Sequence, residues 1–151
     1  MTPPITPSQT VGPFFGFALP FAGEEEVVPA DAATSVRLEG QVLDGQGEPV
    51  PDAMIEIWQG DLFGRCRTDP EGAFHFTVTQ PDPPYFNAYV FARGLLRHLL
   101  TRIYFPDVSD AVLEEVEPAR RATLVALQED GKLRFDIRLQ GEGETVFFEL
   151  G

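Results

Sequence analysis

The residues able to do chemistry in this chain of 151 are few and scattered. There are two histidines, His75 and His98, one cysteine, Cys66, and three tyrosines, Tyr85, Tyr89 and Tyr104. A zinc site asks for Cys and His at short regular spacing, and none is present. His75 stands between Phe74 and Phe76. If those phenylalanines face a core, strand alternation turns His75 outward, as a solvated structural residue. His98 reads as a polar group between apolar neighbours in Leu96-Arg97-His98-Leu99-Leu100. Ser8, Ser35 and Ser109 lack a Gly-x-Ser-x-Gly elbow, and Gly141-x-Gly143 sits between strands rather than before a helix. Cys66 lies between Arg65 and Arg67. Flanking cations favour a thiolate, so the sequence leaves open a lowered thiol pKa. An independent enzyme built on Cys66 or His98 has little else behind it.

The arginines cluster. Arg93, Arg97 and Arg102 follow an apolar stretch, Arg120 and Arg121 are adjacent, and Arg134 and Arg138 share one strand face. The plain reading is ion pairing with the abundant carboxylates. The sharper one is that an arginine fork grips a carboxylate ligand in two-point fashion. Arg93 is the best candidate, because Gly94 after it signals a turn at a strand end.

These residues must be positioned by one domain's worth of chain. With 43% hydrophobic residues, 13 of them Phe, the chain can fill a core. The net charge of −13 opposes binding to phosphate backbones and to anionic lipid. A single cysteine forms no internal disulfide, and no signal peptide or membrane span is evident, so a cytoplasmic location is expected.

Residues 1–35 hold six of the fourteen prolines and the run Glu24-Glu25-Glu26. Phe14, Phe15, Phe17, Leu19 and Phe21 give that stretch large apolar surface. It reads as an extended arm packing on its own domain or on a partner. Residues 36–151 read as the folded domain. Val36, Leu38, Gly40 and Val42 alternate with polar residues, predicting a half-buried strand. Further strands are predicted at Met54–Gln59, Phe74–Val78, Phe86–Phe91, Arg102–Phe105, Ala122–Leu127, Leu133–Leu139 and Thr145–Leu150, with a hairpin at Asp130-Gly131. One helix is predicted, capped by Ser109 and stopped by Pro118. Short strands with frequent turns predict an all-β fold, an antiparallel β-sandwich.

Several segments carry a resemblance. They are Thr6-Pro7-Ser8-Gln9-Thr10-Val11-Gly12-Pro13-Phe14, Glu56-Ile57-Trp58-Gln59, Phe63-Gly64-Arg65 with Thr68-Asp69, and Val90-Phe91-Ala92-Arg93-Gly94-Leu95-Leu96. Thr101-Arg102-Ile103-Tyr104-Phe105, Arg120-Arg121-Ala122-Thr123-Leu124 and the run Arg134 to Phe148 continue it. Together they resemble the alpha subunits of the protocatechuate 3,4-dioxygenase family of intradiol ring-cleavage dioxygenases, from near residue 6 to the end. The resemblance implies a β-sandwich in a hetero-oligomer, paired with a homologous beta subunit that holds non-haem Fe(III) through two Tyr and two His. It implies intradiol cleavage of protocatechuate to 3-carboxy-cis,cis-muconate in the β-ketoadipate route of aromatic catabolism.

The same comparison implies that this chain binds no cofactor itself. A ferric site needs hard phenolate donors and imidazoles at one point. Where the catalytic pattern has His-Ile-His, this chain reads Tyr85-Phe86-Asn87. The loops that carry the two ligand tyrosines are cut to Gly60-Asp61-Leu62 and Gln80-Pro81-Asp82. Tyr85, Tyr89 and Tyr104 match no ligand position. No catalytic and no metal residue is therefore expected. What the resemblance does imply is a contribution to substrate binding: Arg93 facing the substrate carboxylate, Thr10 reaching the same cavity on the arm, and Phe14, where the family often has Tyr. The competing expectation is a stand-alone β-sandwich binding module that kept the fold and lost the dioxygenase role.

Overall fold

A computed structural model describes residues 3–12 and 14–149 of the chain. Met1, Thr2, Pro13, Leu150 and Gly151 lie outside the described residues, and with them parts of the expected arm and last strand. Two sheets face each other. The first has β1 (Val36–Leu43), β4 (Ala73–Val78), β7 (Leu127–Glu129), β8 (Lys132–Arg134) and β9 (Ile137–Arg138), in the order β4-β1-β8-β7 with β9 also on β1. The second has β2 (Met54–Gln59), β3 (Leu62–Arg67), β5 (Tyr85–Phe91) and β6 (Leu99–Tyr104), in the order β3-β2-β5-β6.

The second sheet is antiparallel throughout, and β1 and β4 pair antiparallel. β1 runs parallel to β8 and β9, so the first sheet is mixed. Alternation drives the layering. In β5, Phe86, Ala88 and Val90 are buried while Tyr85, Asn87, Tyr89 and Phe91 between them are only partly so. Leu38, Ile55, Ile57, Phe76, Phe86 and Ile137 form the shared core, fully buried. Each such side chain contributes about 1.5–3 kcal/mol.

Several predicted elements take another form. Leu62–Arg67 is a strand, joined to β2 by a two-residue turn at Gly60-Asp61. Its inward positions include Gly64 and Cys66, so no apolar alternation marks it. Ala122–Leu127 is not a strand. Arg121–Leu124 forms a 3-10 turn that still buries Leu124 and Ala126. There the Thr123 hydroxyl donates to Arg120 O and accepts from Val146 N–H, which holds the turn. Leu133–Leu139 is split, because Asp136 leaves the ladder to accept from Gln41 N–H.

Thr145 bonds back to Arg138 of the first sheet while Phe148 N–H donates to Leu100 of the second. Two different partners keep the segment 145–149 from extending into one strand. Ser109 does not cap the helix α2 (Ala111–Glu115); Asp110 does, its carboxylate accepting from Leu113 N–H at 2.8 Å.

The segment 14–35 begins with one turn of helix, α1 (Phe15–Ala18), and then lies across the side of the sandwich. Arg65 N–H of β3 donates to Glu24 O, Thr77 N–H of β4 to Glu25 O, and Val28 N–H to Thr77 O. Both β3 and β4 are edge strands, so one strip of chain bonds to both sheets. Residues 3–11 are exposed.

Candidate functional site

β5 ends at Phe91, and Ala92 to Leu95 make the turn that Gly94 announces. Leu95 N–H donates to Ala92 O at 3.2 Å, and Gly94 has φ +92°, a conformation that favours glycine. Ala92 is buried, which leaves Arg93 pointing out of the sheet end with its side chain 62% exposed. Its Nε lies 2.9 Å from Asp52 Oδ2. An open cavity of about 560 Å3 runs past this pair, lined also by Pro51, Arg67 and Asp69.

Thr10 reaches the same turn: its Oγ1 accepts the Gly94 N–H at 3.1 Å. The structure thus brings Thr10 to the backbone beside Arg93, across most of the chain. Phe14 stands at the start of α1 with 79% of its surface exposed. Asp52 was not singled out by sequence. The only signal was its place in a Pro-bearing turn, Val50-Pro51-Asp52-Ala53.

Two arginines of β3 hold the arm over this region. Strand alternation puts Arg65 and Arg67 on one face. Arg65 bonds Glu56 Oε1 at 2.7 and 2.9 Å, Glu24 at 3.2 Å and Leu19 O at 3.1 Å. Its guanidinium pKa is raised: burial works against the charge, and the Glu56 and Glu24 carboxylates outweigh it. Arg67 donates to Gly16 O and lies 4.7 Å over the Phe17 ring.

Cys66, one position along, faces the other way. Its thiol is pushed up, first by burial, the opposite of the lowered value its arginine neighbours suggest in sequence. The alternation explains the reversal, since the flanking guanidinium groups are spent on the arm. His75 lies on the outer face of β4, half-buried between buried Phe74 and Phe76. His98 stacks on Phe91 and meets Tyr89 edge-on, with ring centroids 5.2 and 4.4 Å away.

Tyr85 and Asn87 share the outer face of β5 with a cation. Arg102 lies 4.3 Å over the Tyr85 ring, its Nε donates to Asn87 Oδ1 at 3.3 Å, and its Nη1 donates to the Tyr104 hydroxyl at 3.1 Å. The Tyr104 hydroxyl in turn donates to Asp110 at 3.0 Å. Its pKa is raised, mainly by burial, which disfavours a phenolate. Among the described residues no three of His, Cys, Asp and Glu are grouped to hold a metal ion. A guanidinium stacked on Tyr85 and bonded to Asn87 does not fit a ferric centre on this face. This face is a closed polar cluster instead.

Known proteins give the arrangement its context. No protein-family model matches the chain. The protocatechuate 3,4-dioxygenase alpha chain of Pseudomonas putida is 38% identical, covering 97% of this chain and 97% of the relative. That of Burkholderia cepacia is 36% identical over 96% of this chain and 97% of its own. The first alignment spans 195 positions against 151 residues here, so the relatives carry internal segments that this chain lacks.

A beta chain from Burkholderia cepacia is 25% identical over 74% of this chain and 60% of its own. Among solved structures, the dioxygenase domain of a fusion protein from Streptomyces sp. SirexAA-E superposes with a TM-score of 0.62 at 19% identity, over 78% of this chain and 87% of that one. It shares the β-sandwich. On the strength of identity carried along nearly its whole length, this chain belongs to the protocatechuate 3,4-dioxygenase alpha-chain family of intradiol dioxygenases.

Proposed function

We propose that this chain acts as the iron-free alpha subunit of a hetero-oligomeric protocatechuate 3,4-dioxygenase, with Arg93, Thr10 and Phe14 facing the substrate of a neighbouring beta chain. The observation that carries this reading is the meeting of Thr10, Arg93 and Gly94 at one strand end, beside an open cavity. Ferric iron held by the beta chain would supply the ring-opening chemistry. This chain binds and orients.

Arg93 keeps both Nη groups free of protein partners among the described residues. Its outer edge can therefore donate two parallel N–H bonds to a substrate carboxylate. Thr10 Oγ1 already accepts a backbone N–H, so its own proton is left to donate. Phe14 supplies an apolar wall and no hydroxyl. The Arg102 cluster supports the division of labour, since a fixed cation opposes a second one on the same face.

The test uses enzyme assembled from both chains. Arg93→Ala is expected to raise KM for protocatechuate at least about tenfold, with kcat little changed, as fits loss of binding to a non-reacting group. An unchanged KM removes Arg93 from the site. This chain purified alone is expected to lack ring-cleaving activity. Cleavage by the single chain with iron bound would overturn the reading and would favour an independent enzyme. A stable, inactive lone chain that never joins a beta chain would favour the binding-module alternative.

A further inference from the structure

Asp52 makes one polar contact among the described residues, and that contact is Arg93. We infer that Asp52 is the positioning residue of the carboxylate-binding arginine: its carboxylate pairs with the Nε side of the guanidinium and so biases the side chain toward presenting its Nη edge. The inference rests on the reading of Arg93 as the group that meets the substrate carboxylate.

Three features carry it. The first is the mode of pairing. Asp52 Oδ2 lies 2.9 Å from Nε as an ion pair, with Nε the nearest nitrogen, and no Nη hydrogen bond to the protein is made among the described residues. An aspartate that served only to neutralise Arg93 could as well take both Nη groups in a two-point bond. Engaged at Nε, it leaves that fork open.

The second is the stiffness of the mount. Asp52 sits in a turn anchored by Thr68, which is only 3% exposed. The Thr68 hydroxyl donates to Val50 O at 2.8 Å and accepts from Ala53 N–H at 3.0 Å, while Thr68 N–H donates to Ala53 O at 2.9 Å. Pro51 restricts the backbone further. The carboxylate is therefore held by bonds on both sides of its own residue.

The third is exposure. An ion pair with an arginine 62% exposed adds little to stability, so the fold gives weak reason for it. An exposed arginine also has many rotamers, and holding one beforehand lowers the entropy lost when a ligand binds. The Arg93–Asp52 pair is net neutral. Its grip on a carboxylate comes from the aim of two N–H donors more than from net charge, and aim is what Asp52 supplies.

The test compares Asp52→Ala, Asp52→Asn, Arg93→Ala and the double variant Arg93→Ala/Asp52→Ala in enzyme assembled with the beta chain. KM and kcat are measured for protocatechuate. The inhibition constant is measured for 4-methylcatechol, which has the same ring with a methyl group for the carboxylate. Asp52→Ala is expected to raise KM about tenfold, with kcat within about twofold and the 4-methylcatechol constant unchanged. Asp52→Asn keeps an oxygen of the same shape beside Nε and is expected to return KM to within about threefold of wild type. Asp52→Ala added to Arg93→Ala is expected to add nothing.

An unchanged or lowered KM for Asp52→Ala overturns the inference, and so does a parallel rise in the 4-methylcatechol constant. If Arg93→Ala raises KM and Asp52→Ala does not, only the role of Asp52 fails. If Arg93→Ala itself leaves KM unchanged, the reading beneath it fails as well.

Discussion

Cys66 shows how one strand position decides a residue's chemistry. Its neighbours in sequence are arginines, and its neighbours in space are the sandwich interior and the backbone of β4. Burial is the main cause that raises its pKa. A thiol whose folded value lies above its unfolded value adds stability that is complete below the unfolded value, near 8.5 for a free cysteine. That stability is lost as pH rises through the folded value. Iodoacetamide is therefore expected to modify Cys66 about tenfold more slowly at pH 8 than the same chain in urea, because only the thiolate reacts. The rate should still be climbing at a pH where the unfolded thiol has levelled off. Equal rates in buffer and urea would show an open, unperturbed thiol. Sequence displayed the two arginines but not the face they occupy. Arg93 was easier to read, because Gly94 marks its turn in the chain itself. Asp52 was not, since its meaning comes from a partner on another strand end.

At the scale of elements, β3 was the least legible and holds most of the arm. Alternation exposes strands whose inward positions are large and apolar, as in β1, β2, β4 and β5. β3 puts Gly64 and Cys66 inward, and the reason is the chain that lies against it. A Cβ built on Gly64 would come within 2.5 Å of Val27 Cγ2, 3.1 Å of Phe76 and 3.2 Å of Glu24 O. Gly64→Ala is expected to lift the 24–27 strip from the sheet and cost about 1–3 kcal/mol, the scale of an overpacked contact. Thermal unfolding would report the loss, and limited chymotrypsin digestion should cut faster at Phe17 and Phe21. An unchanged melting temperature with unchanged digestion would mean that the strip has room to spare. The 3-10 turn at 121–124 was misread for a related reason. Burial of alternate residues is what a strand and such a turn both provide, and only hydrogen bonding separates them.

On the scale of the whole molecule, apolar surface is uneven. Phe14 and Phe21 are 79% and 69% exposed, so neither contributes much to the fold of this chain. In a chain of net charge −13 they stand out as surface that another subunit would cover. Phe14→Asp with Phe21→Asp is expected to leave the melting temperature of the lone chain within about 1 °C, since exposed substitutions change stability little. Co-purification with the beta chain should fall sharply. Full assembly by the double variant would mean that the arm's aromatics face water in the complex too. The existence of the arm was legible from its prolines and phenylalanines, because both are compositional. Its contacts were not, as they depend on Arg65 and Arg67 far along the chain.

The strip from Glu24 to Val28 also has a protective effect. β3 and β4 are the outermost strands on one side of the sandwich, and open rims of this kind recruit strands from other molecules. By accepting from Arg65 N–H on one rim and bonding both N–H and C=O of Thr77 on the other, the strip obstructs both rims. Release of this one short stretch would bare both rims together, so a chain that loses its hold there is expected to self-associate more readily when concentrated.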